Sequence, residues 1–242
     1  MIKLIVSDLD GTLLPYGETE LSKEIISLIE KTIHKNINFA VSSGRTYGEL
    51  LGFLHDFEDS VYFISCDGAC TIKNGKVVAG KSIAAENFKM FTVTGAPVVF
   101  HGAFENYIFG DAEGAAEAFS PKRISNIYEI REKIYKISLL SKPIDLPQYS
   151  SLRLHWHDST NTFIQYVNRF ADKGSALADL QMRLSSSNFE TACLGDEEND
   201  IAMMNGAKRS FCIGSSCMSL KNVCTDFAEN GVDALRNIIE EA

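Results

Sequence analysis

The 242-residue sequence predicts an α/β protein, in which a parallel sheet with helices on its faces is interrupted by an inserted α+β unit. Two observations predict this class. Strand-like apolar runs alternate with amphipathic helical patterns in the first third of the chain, and the same alternation returns in the last third. We expect the core to comprise residues 1–83 and 171–242, with the inserted unit at 84–170. Ligands of such sheets bind outside the carboxyl ends of the strands.

The first strand is predicted at the start of the chain, where Leu4, Ile5 and Val6 form a run typical of a strand buried on both faces. Asp8 and Asp10 follow it, and their spacing of two points both side chains the same way. Two like charges there are costly unless a cation or a shared proton relieves them. The alternative is an ordinary strand followed by an Asp-Gly turn. Residues of matching chemistry further along the chain make this alternative less favoured.

The first half of the core then continues the alternation. A helix is predicted over residues 19–36, begun by Ser22 or Thr19, because apolar residues recur there on one helical face. Further elements are a strand at 37–41 that leads into Ser42-Ser43-Gly44-Arg45, a helix at 47–55, and a strand at 62–65 that leads into Cys66-Asp67-Gly68-Ala69.

The middle of the chain has a different pattern. Asn74-Gly75 predicts a hairpin over residues 71–78, because this dipeptide favours a two-residue turn. Strands are predicted at 98–101, 106–109, 135–140, 152–157 and 162–167, and helices at 112–119 and 126–132. Strand pairs that flank helical stretches indicate a small α+β unit.

The last third returns to alternating elements. Helices are predicted at 173–184, 201–205 and 232–241, and strands at 189–194 and 210–213. The strand at 189–194 is followed by Gly195-Asp196-Glu197-Glu198-Asn199-Asp200. In a parallel sheet these turns meet the earlier ones at one edge.

Composition narrows the possible partners. The chain is 45% hydrophobic and 23% charged, as in ordinary globular proteins, and its formal net charge of -9 argues against a sequence-independent nucleic-acid binder. We expect a cytoplasmic protein without a membrane partner, because neither a signal peptide nor a spanning segment is visible. The six cysteines are expected to be free thiols, mostly buried.

The residues at the strand ends are suited to phosphoryl chemistry. Asp8 is a candidate nucleophile or metal ligand, and Asp10 is a second carboxylate able to shuttle a proton. Ser43 offers a hydroxyl beside backbone N–H groups, and Lys173 offers a positive charge for phosphate oxygens.

Asp196 and Asp200 add two further carboxylates to this group. Four carboxylates with one lysine repel each other and an anionic substrate, and a divalent cation resolves that conflict. Oxygen-only ligands suit Mg²⁺.

These residues occur in four ordered segments, Asp8-Leu9-Asp10-Gly11-Thr12-Leu13, Ser42-Ser43-Gly44-Arg45, Lys173-Gly174-Ser175-Ala176-Leu177 and Gly195-Asp196-Glu197-Glu198-Asn199-Asp200. The sequence thereby resembles the haloacid dehalogenase superfamily. The insertion between the second and third segments resembles the Cof-type, or type IIB capped, sugar-phosphatase branch. The resemblance implies a Rossmann-like core with a type C2B cap, and four motifs in order are more specific than any one of them.

The resemblance also implies roles for the reacting groups. Asp8 would attack phosphorus and form an aspartyl-phosphate, while Asp10 would protonate the leaving oxygen and then activate water. Mg²⁺ would be held by Asp8, the backbone carbonyl of Asp10, and Asp196, with Asp200 helping to order the metal site.

Substrate binding is assigned by the same resemblance. Ser43 and Lys173 would hold the transferring phosphoryl group. Leu9, Gly44, Arg45 and Asn199 would complete the phosphate and substrate contacts, with Asn199 also orienting Lys173 or its neighbours.

One residue departs from the family pattern. Relatives commonly carry Asn-Gly-Ala after the third strand, where this chain has Asp67-Gly68-Ala69. Asp67 either binds substrate or the cap, or is a turn-forming residue before glycine, which is the favoured interpretation.

The sequence therefore predicts a Mg²⁺-dependent phosphomonoester hydrolase that acts on a small phosphorylated metabolite such as a sugar phosphate, as a monomer or weak homodimer. A phosphomutase with the same cap and a non-catalytic phosphate-binding module are the alternatives.

Overall fold

The computed structural model describes residues 1–112, 119–141, 148, 150–157, 163–214 and 216–241, with the side chains of 155–157 left out. The chain divides into two compact units, which we call the core unit, Met1–Ala79 with Asp172–Ala242, and the cap unit, Gly80–Ala171. These junctions lie four residues before the predicted first one (80 against 84) and one residue after the predicted second one (172 against 171).

The strands of the described residues are β1 Leu4–Ser7, β2 Asn38–Ser42, β3 Tyr62–Ser65, β4 Cys70–Lys73, β5 Lys76–Gly80, β6 Val98–His101, β7 Asn106–Phe109, β8 Lys122–Ile124, β9 Lys136–Leu139, β10 Leu152–His157, β11 Ile164–Asn168, β12 Thr191–Gly195, β13 Arg209–Ile213 and β14 Asp226–Ala228. The α-helices in the same ranges are α1 Lys23–His34, α2 Tyr47–Leu54, α3 Phe88–Thr92, α4 Lys173–Leu184, α5 Ile201–Met204, α6 Met218–Lys221 and α7 Gly231–Glu241.

The core unit is built on one sheet with the strand order β14-β13-β12-β1-β2-β3-β4-β5. Strands β14 to β3 in this order are parallel neighbours, and β4 is antiparallel to β3. The chain winds in one direction from β1 through β3 and in the other from β12 through β14. The order therefore reverses beside β1, and the carboxyl ends of β1 and β12 form the switch point at which such sheets bind ligands.

Burial explains why the predicted core elements form. All four residues of β1 are buried, and Leu4 and Val6 pack in one cluster with Leu177 of α4 and Met203 of α5. Ser22 begins α1 by accepting a hydrogen bond from the Ile25 backbone N–H at 3.2 Å, so of the two predicted caps Ser22 is the correct one.

The hairpin follows from backbone chemistry. Asn74 and Gly75, between β4 and β5, have φ angles of 51° and 63°, as a two-residue turn of this type requires. The strand predicted at 189–194 begins only at Thr191. Glu190 accepts hydrogen bonds from the Ser187 N–H and hydroxyl, which closes a 3-10 turn at Asn188–Glu190.

The cap unit has a separate sheet with the order β10-β11-β9-β6-β7-β8. Its neighbours are antiparallel except β7 and β8, which are parallel. Helix α3 covers one face, where the Phe88 and Phe100 rings lie 5.2 Å apart and the Phe91 and Tyr166 rings lie at the same distance. The predicted cap strands are present, and β8 was not predicted.

The helix predicted at 126–132 is wrong. Only a 3-10 turn forms, at Ile127–Glu129, and the backbone of Ile130 is extended. Extension brings the Glu132 carboxylate to the backbone N–H groups of residues 103–105, which donate to it at 2.8–3.2 Å. These long-range bonds replace local helical bonds. Most of the helix predicted at 112–119 lies outside the described residues.

No helix in the described ranges is both long and apolar enough to cross a membrane. All six cysteines are free thiols, as predicted, and four of them are buried.

Candidate active site

Three neighbouring strands deliver the site. Asp8 follows β1, Ser43 follows β2 and Asp196 follows β12, so parallel pairing brings their backbones to one edge of the sheet. Lys173 is the first residue of α4, which Asp172 caps by accepting from the Ser175 N–H at 2.7 Å. The Asp172 side chain thereby fixes where α4 begins and therefore where Lys173 enters the site.

Lys173 is the central cation of the site. Its side chain is 2% exposed, and its Nζ donates to Asp8 Oδ1 at 2.6 Å and to Asp200 Oδ1 at 2.7 Å. Burial alone lowers the pKa of Lys173, but the charges of Asp200 and Asp8 outweigh burial and raise it. The ammonium group is therefore a permanent charge.

The surroundings of Asp8 disfavour its charged form. Burial raises the pKa of Asp8 well above its usual value, the Lys173 charge lowers it, and the charge of Asp200 raises it again. One lysine thus does not fully compensate the carboxylates around Asp8.

The acidic cluster fits a hard divalent cation. Asp8, Asp196 and Asp200 are all buried, and each offers a carboxylate oxygen within 4.8 Å of the others. Lys173 pairs with only two of these three carboxylates, and all the donor atoms are oxygen, as Mg²⁺ prefers. In the described part of the chain, the Asp10 side chain lies outside this cluster, and its expected contribution is a backbone carbonyl.

Asp196 is held by two hydroxyl groups that the sequence did not single out. Thr12 Oγ1 donates to Asp196 Oδ1 at 3.0 Å, and Tyr16 Oη donates to Oδ2 at 2.8 Å. Burial raises the pKa of Asp196, and these two hydrogen bonds lower it. Thr12 lies inside the first motif and could have been proposed, whereas Tyr16 lies in a loop without any periodic signal.

Asp200 binds both the Lys173 side chain and the turn that carries Asp196. Its side chain is fully buried, and while Oδ1 accepts from Lys173, Oδ2 accepts from the backbone N–H groups of Asp196 and Glu197, both at 3.1 Å. One carboxylate therefore fixes the turn that presents Asp196 and also fixes the lysine.

Arg45 contacts Asp10 in a two-pronged ion pair. Its Nη2 lies 2.7 Å from Asp10 Oδ1, and its Nε lies 2.9 Å from Oδ2. The hydrogen bond with Asp10 is the main reason that the pKa of Arg45 is raised. The guanidinium group also lies 4.9 Å from the centre of the Phe53 ring. Arg45, expected to support phosphate, is thus engaged with the proton-shuttle candidate.

Ser43 is buried and directed towards the same carboxylate. Its Oγ lies 3.5 Å from Asp10 Oδ2 and accepts from the Arg45 N–H at 3.2 Å. The Ser43 N–H donates to Ile64 within the sheet. Two backbone N–H groups of the expected phosphate loop are therefore already used within the protein.

The remaining predicted residues lie around this centre. Asn199 donates to Asp67 Oδ1 at 3.2 Å, and the charge of Asp67 is one of those that raise the pKa of Lys173. Asp67 is 2% exposed and has a φ of 53°, which agrees with a turn residue. A Cβ atom on Gly44 would lie 2.8 Å from Asp67 Oδ2, so a side chain at this position would displace the Asp67 carboxylate. The Leu9 side chain is fully buried, which leaves its backbone for any substrate contact.

The structure thus brings Asp8, Lys173, Asp196 and Asp200 into one bonded group, and Asp10, Ser43 and Arg45 into a second group beside it.

Comparisons with known proteins identify the family of the chain. The family model described as haloacid dehalogenase-like hydrolase matches residues 5–233. A curated relative, the 5-amino-6-(5-phospho-D-ribitylamino)uracil phosphatase YbjI of Escherichia coli, is 22% identical over 229 residues, which cover 87% of this chain and 84% of the relative.

Solved structures match over the full length of the chain. A haloacid dehalogenase-like hydrolase from Bacteroides thetaiotaomicron superposes with a TM-score of 0.83 at 17% identity, covering 98% of this chain and 100% of the other. The subclass IIB sugar phosphatase BT4131 gives a TM-score of 0.74 at 17% identity, with coverage of 99% and 97%. The chain therefore belongs to the haloacid dehalogenase-like hydrolase family, as an enzyme of the phosphatase type.

Proposed function

We propose that the protein is a Mg²⁺-dependent phosphomonoester hydrolase that works through an aspartyl-phosphate on Asp8. The observation that carries the proposal is the buried Lys173 ammonium, 2.6 Å from Asp8 inside a cluster of three carboxylates. A carboxylate held by a lysine beside a cation site has the surroundings that a phosphoryl acceptor needs, because positive charge must offset both the nucleophile and the phosphate.

Asp8, Asp196 and Asp200, with the backbone carbonyl of Asp10, would hold the Mg²⁺ ion. When bound, the ion supplies positive charge that offsets the carboxylates and the phosphate oxygens. Lys173, bound to both Asp8 and Asp200, supplies a second, permanent positive charge.

In the first half-reaction an Asp8 oxygen attacks phosphorus, and the bond between phosphorus and the ester oxygen breaks. Asp10 gives its proton to that departing oxygen, so the product leaves as a neutral alcohol. Arg45 engages both oxygens of Asp10, so one of these hydrogen bonds must open when Asp10 transfers a proton. Ser43 Oγ lies 3.5 Å from Asp10 Oδ2, and we assign the phosphoryl group of the substrate to the side of Asp10 that faces this hydroxyl.

In the second half-reaction Asp10 takes a proton from water as the water oxygen attacks phosphorus. The bond between phosphorus and Asp8 breaks, which releases inorganic phosphate and restores the Asp8 carboxylate. One residue thus acts first as acid and then as base.

We assign the substrate to the class of small phosphorylated metabolites such as sugar phosphates. The Escherichia coli relative is named for a phosphorylated ribityl compound, and the structural neighbour is a sugar phosphatase, which supports this class. We further assign to the cap unit the selection of the substrate, since all the proposed reacting groups belong to the core unit.

The test is phosphate release from a panel of sugar phosphates, nucleotides and phosphorylated cofactors, with Mg²⁺ or with excess chelator. We expect release with Mg²⁺ only, and none from Asp8→Asn. Conversion to an isomeric sugar phosphate without free phosphate would indicate a mutase. Release that persists in chelator, or in the Asp8→Asn variant, would refute the proposal.

A further inference from the structure

Tyr16 combines an exposed ring with an engaged hydroxyl group. The residue is 68% exposed, so water could satisfy its hydroxyl at no cost. The hydroxyl nevertheless lies between two carboxylates, at 2.8 Å from Asp196 Oδ2 and 3.0 Å from Glu197 Oε1. It reaches back across 180 residues of sequence to the turn that carries a proposed metal ligand.

The loop around Tyr16 is constrained. The Glu18 N–H donates to the Pro15 carbonyl at 3.1 Å, and Gly17 has a φ of 93°, so residues 15–18 form a turn with a positive φ at its third position. The Tyr16 ring packs on Gly11, where a Cβ atom would lie 2.7 Å from its Cε2. Little conformational freedom is left to lose when the hydroxyl binds.

The two hydroxyl groups fix the orientation of the Asp196 carboxylate. Thr12 binds Oδ1 at 3.0 Å and Tyr16 binds Oδ2 at 2.8 Å, so rotation of the carboxylate would break both bonds. Each carboxylate oxygen has about two acceptor positions, and one on each oxygen remains for a cation. Hydrogen bonds to a ligating carboxylate orient it and tune metal affinity.

We propose that Tyr16 is a positioning residue of the divalent cation site, which sets the affinity for the cation by holding Asp196. The inference rests on the proposed metal site. Tyr16 acts on cation affinity, and once the site is filled its hydroxyl has no part in the transfer of the phosphoryl group.

The test is Tyr16→Phe, which removes one hydroxyl from a largely exposed residue, so we expect the fold to be kept. Mg²⁺ binding is measured by isothermal titration calorimetry on chelator-treated protein without substrate. We expect the dissociation constant to rise roughly tenfold, while the turnover number at saturating Mg²⁺ stays within about twofold of the wild type. The loss of one hydrogen bond should lower the melting temperature without metal by only about 2–4 °C.

Tyr128→Phe is the matched control, since Tyr128 is 80% exposed and belongs to the cap unit. It should leave Mg²⁺ affinity unchanged. An unchanged dissociation constant in Tyr16→Phe, or an equal loss in Tyr128→Phe, would overturn the role of Tyr16 and leave the proposed function standing. Absence of Mg²⁺ binding by the wild type would overturn the proposed metal site and this inference together.

Discussion

Lys173 is the residue on which both the stability and the chemistry of the site depend. It is 2% exposed and lies between Asp8 and Asp200, which are 8% and 0% exposed. Breaking a buried ion pair from one side leaves an uncompensated charge in a poorly solvated place, which is more costly than the pair itself is stabilising.

We therefore expect Lys173→Met to lower the free energy of unfolding in chelator by about 3 kcal/mol, near the lower end of the usual range because Asp8 can take up a proton. Phosphatase activity should be lost as well. Urea unfolding measures the first effect, and Lys221→Met, at an exposed position of α6, is the control that should stay close to the wild type. A loss below about 1 kcal/mol would contradict the assigned charge balance.

His101 gives the cap unit a pH-dependent stability. It is fully buried, with ring nitrogens 3.0 Å from Asn106 Oδ1 and 2.8 Å from Ser138 Oγ. Burial, helped by the charge of Lys136, lowers the pKa of His101 well below its usual value. In the unfolded chain His101 takes up a proton near pH 6.5, whereas in the folded chain it stays neutral at that pH. The free energy of unfolding therefore falls as the pH drops below that value.

His101→Gln should remove about 1.4 kcal/mol from the loss of stability that the wild type shows between pH 7.5 and pH 5.5. Urea unfolding at both pH values measures it. His34→Gln, at an exposed position of α1, should keep the full dependence. Equal pH dependence in all three proteins would mean that His101 is protonated in the fold.

The sequence predicts the reacting residues better than their partners. Asp8, Lys173 and Asp196 stand out because their residue types recur in ordered motifs at the ends of strands. The contact of Arg45 with Asp10 spans 35 residues and that of Tyr16 with Asp196 spans 180. No local pattern encodes such pairs, because they depend on how the loops fold back over the sheet edge.

At the scale of elements, the contact between α4 and α5 places Lys173. A Cβ atom on Gly174, the second residue of α4, would lie 2.6 Å from the backbone carbonyl of Ala202 in α5. The two helices approach so closely only because Gly174 has no side chain.

Gly174→Ala should therefore push the helices apart, lower the free energy of unfolding by about 1–3 kcal/mol and reduce activity through the displaced Lys173. Gly52→Ala is the matched control, because Gly52 lies inside α2 with no atom within 4 Å of its Cβ position. It should raise the free energy of unfolding by about 0.5–1 kcal/mol. Chemical unfolding and phosphate release measure both variants, and similar effects in the two would contradict the packing argument.

A helix or turn can be predicted from the sequence where its own residues determine its structure. The amphipathic pattern and the Ser22 cap locate α1, and Asn74-Gly75 locates the hairpin. The region at 126–132 has a helical pattern but forms only a 3-10 turn followed by the extended residue Ile130, because Glu132 accepts hydrogen bonds from backbone groups almost 30 residues away. The short strands β8 and β14 exist through pairing with their neighbours and have little signal of their own.

At the scale of the whole molecule, the reversal of strand order beside β1 explains why distant motifs meet. β1 lies between β2 and β12, so the residues after these strands share one edge although they come from the first and last thirds of the chain. The alternation of elements predicts a parallel sheet and its active edge. The order of the strands in the sheet is not predicted from the sequence and is seen only in the structure.

The most direct test of the account uses Asp10→Asn with nitrophenyl phosphate, whose leaving group needs no proton. Asp8 should still be phosphorylated, and breakdown should be slow because the base that activates water is missing. Rapid mixing should then show a burst of nitrophenol approaching one per active site, and the peptide that carries Asp8 should gain the mass of a phosphoryl group. Asp8→Asn should show neither. A missing burst in Asp10→Asn, together with substantial activity in Asp8→Asn, would contradict the assignment of Asp8 as nucleophile and Asp10 as proton shuttle.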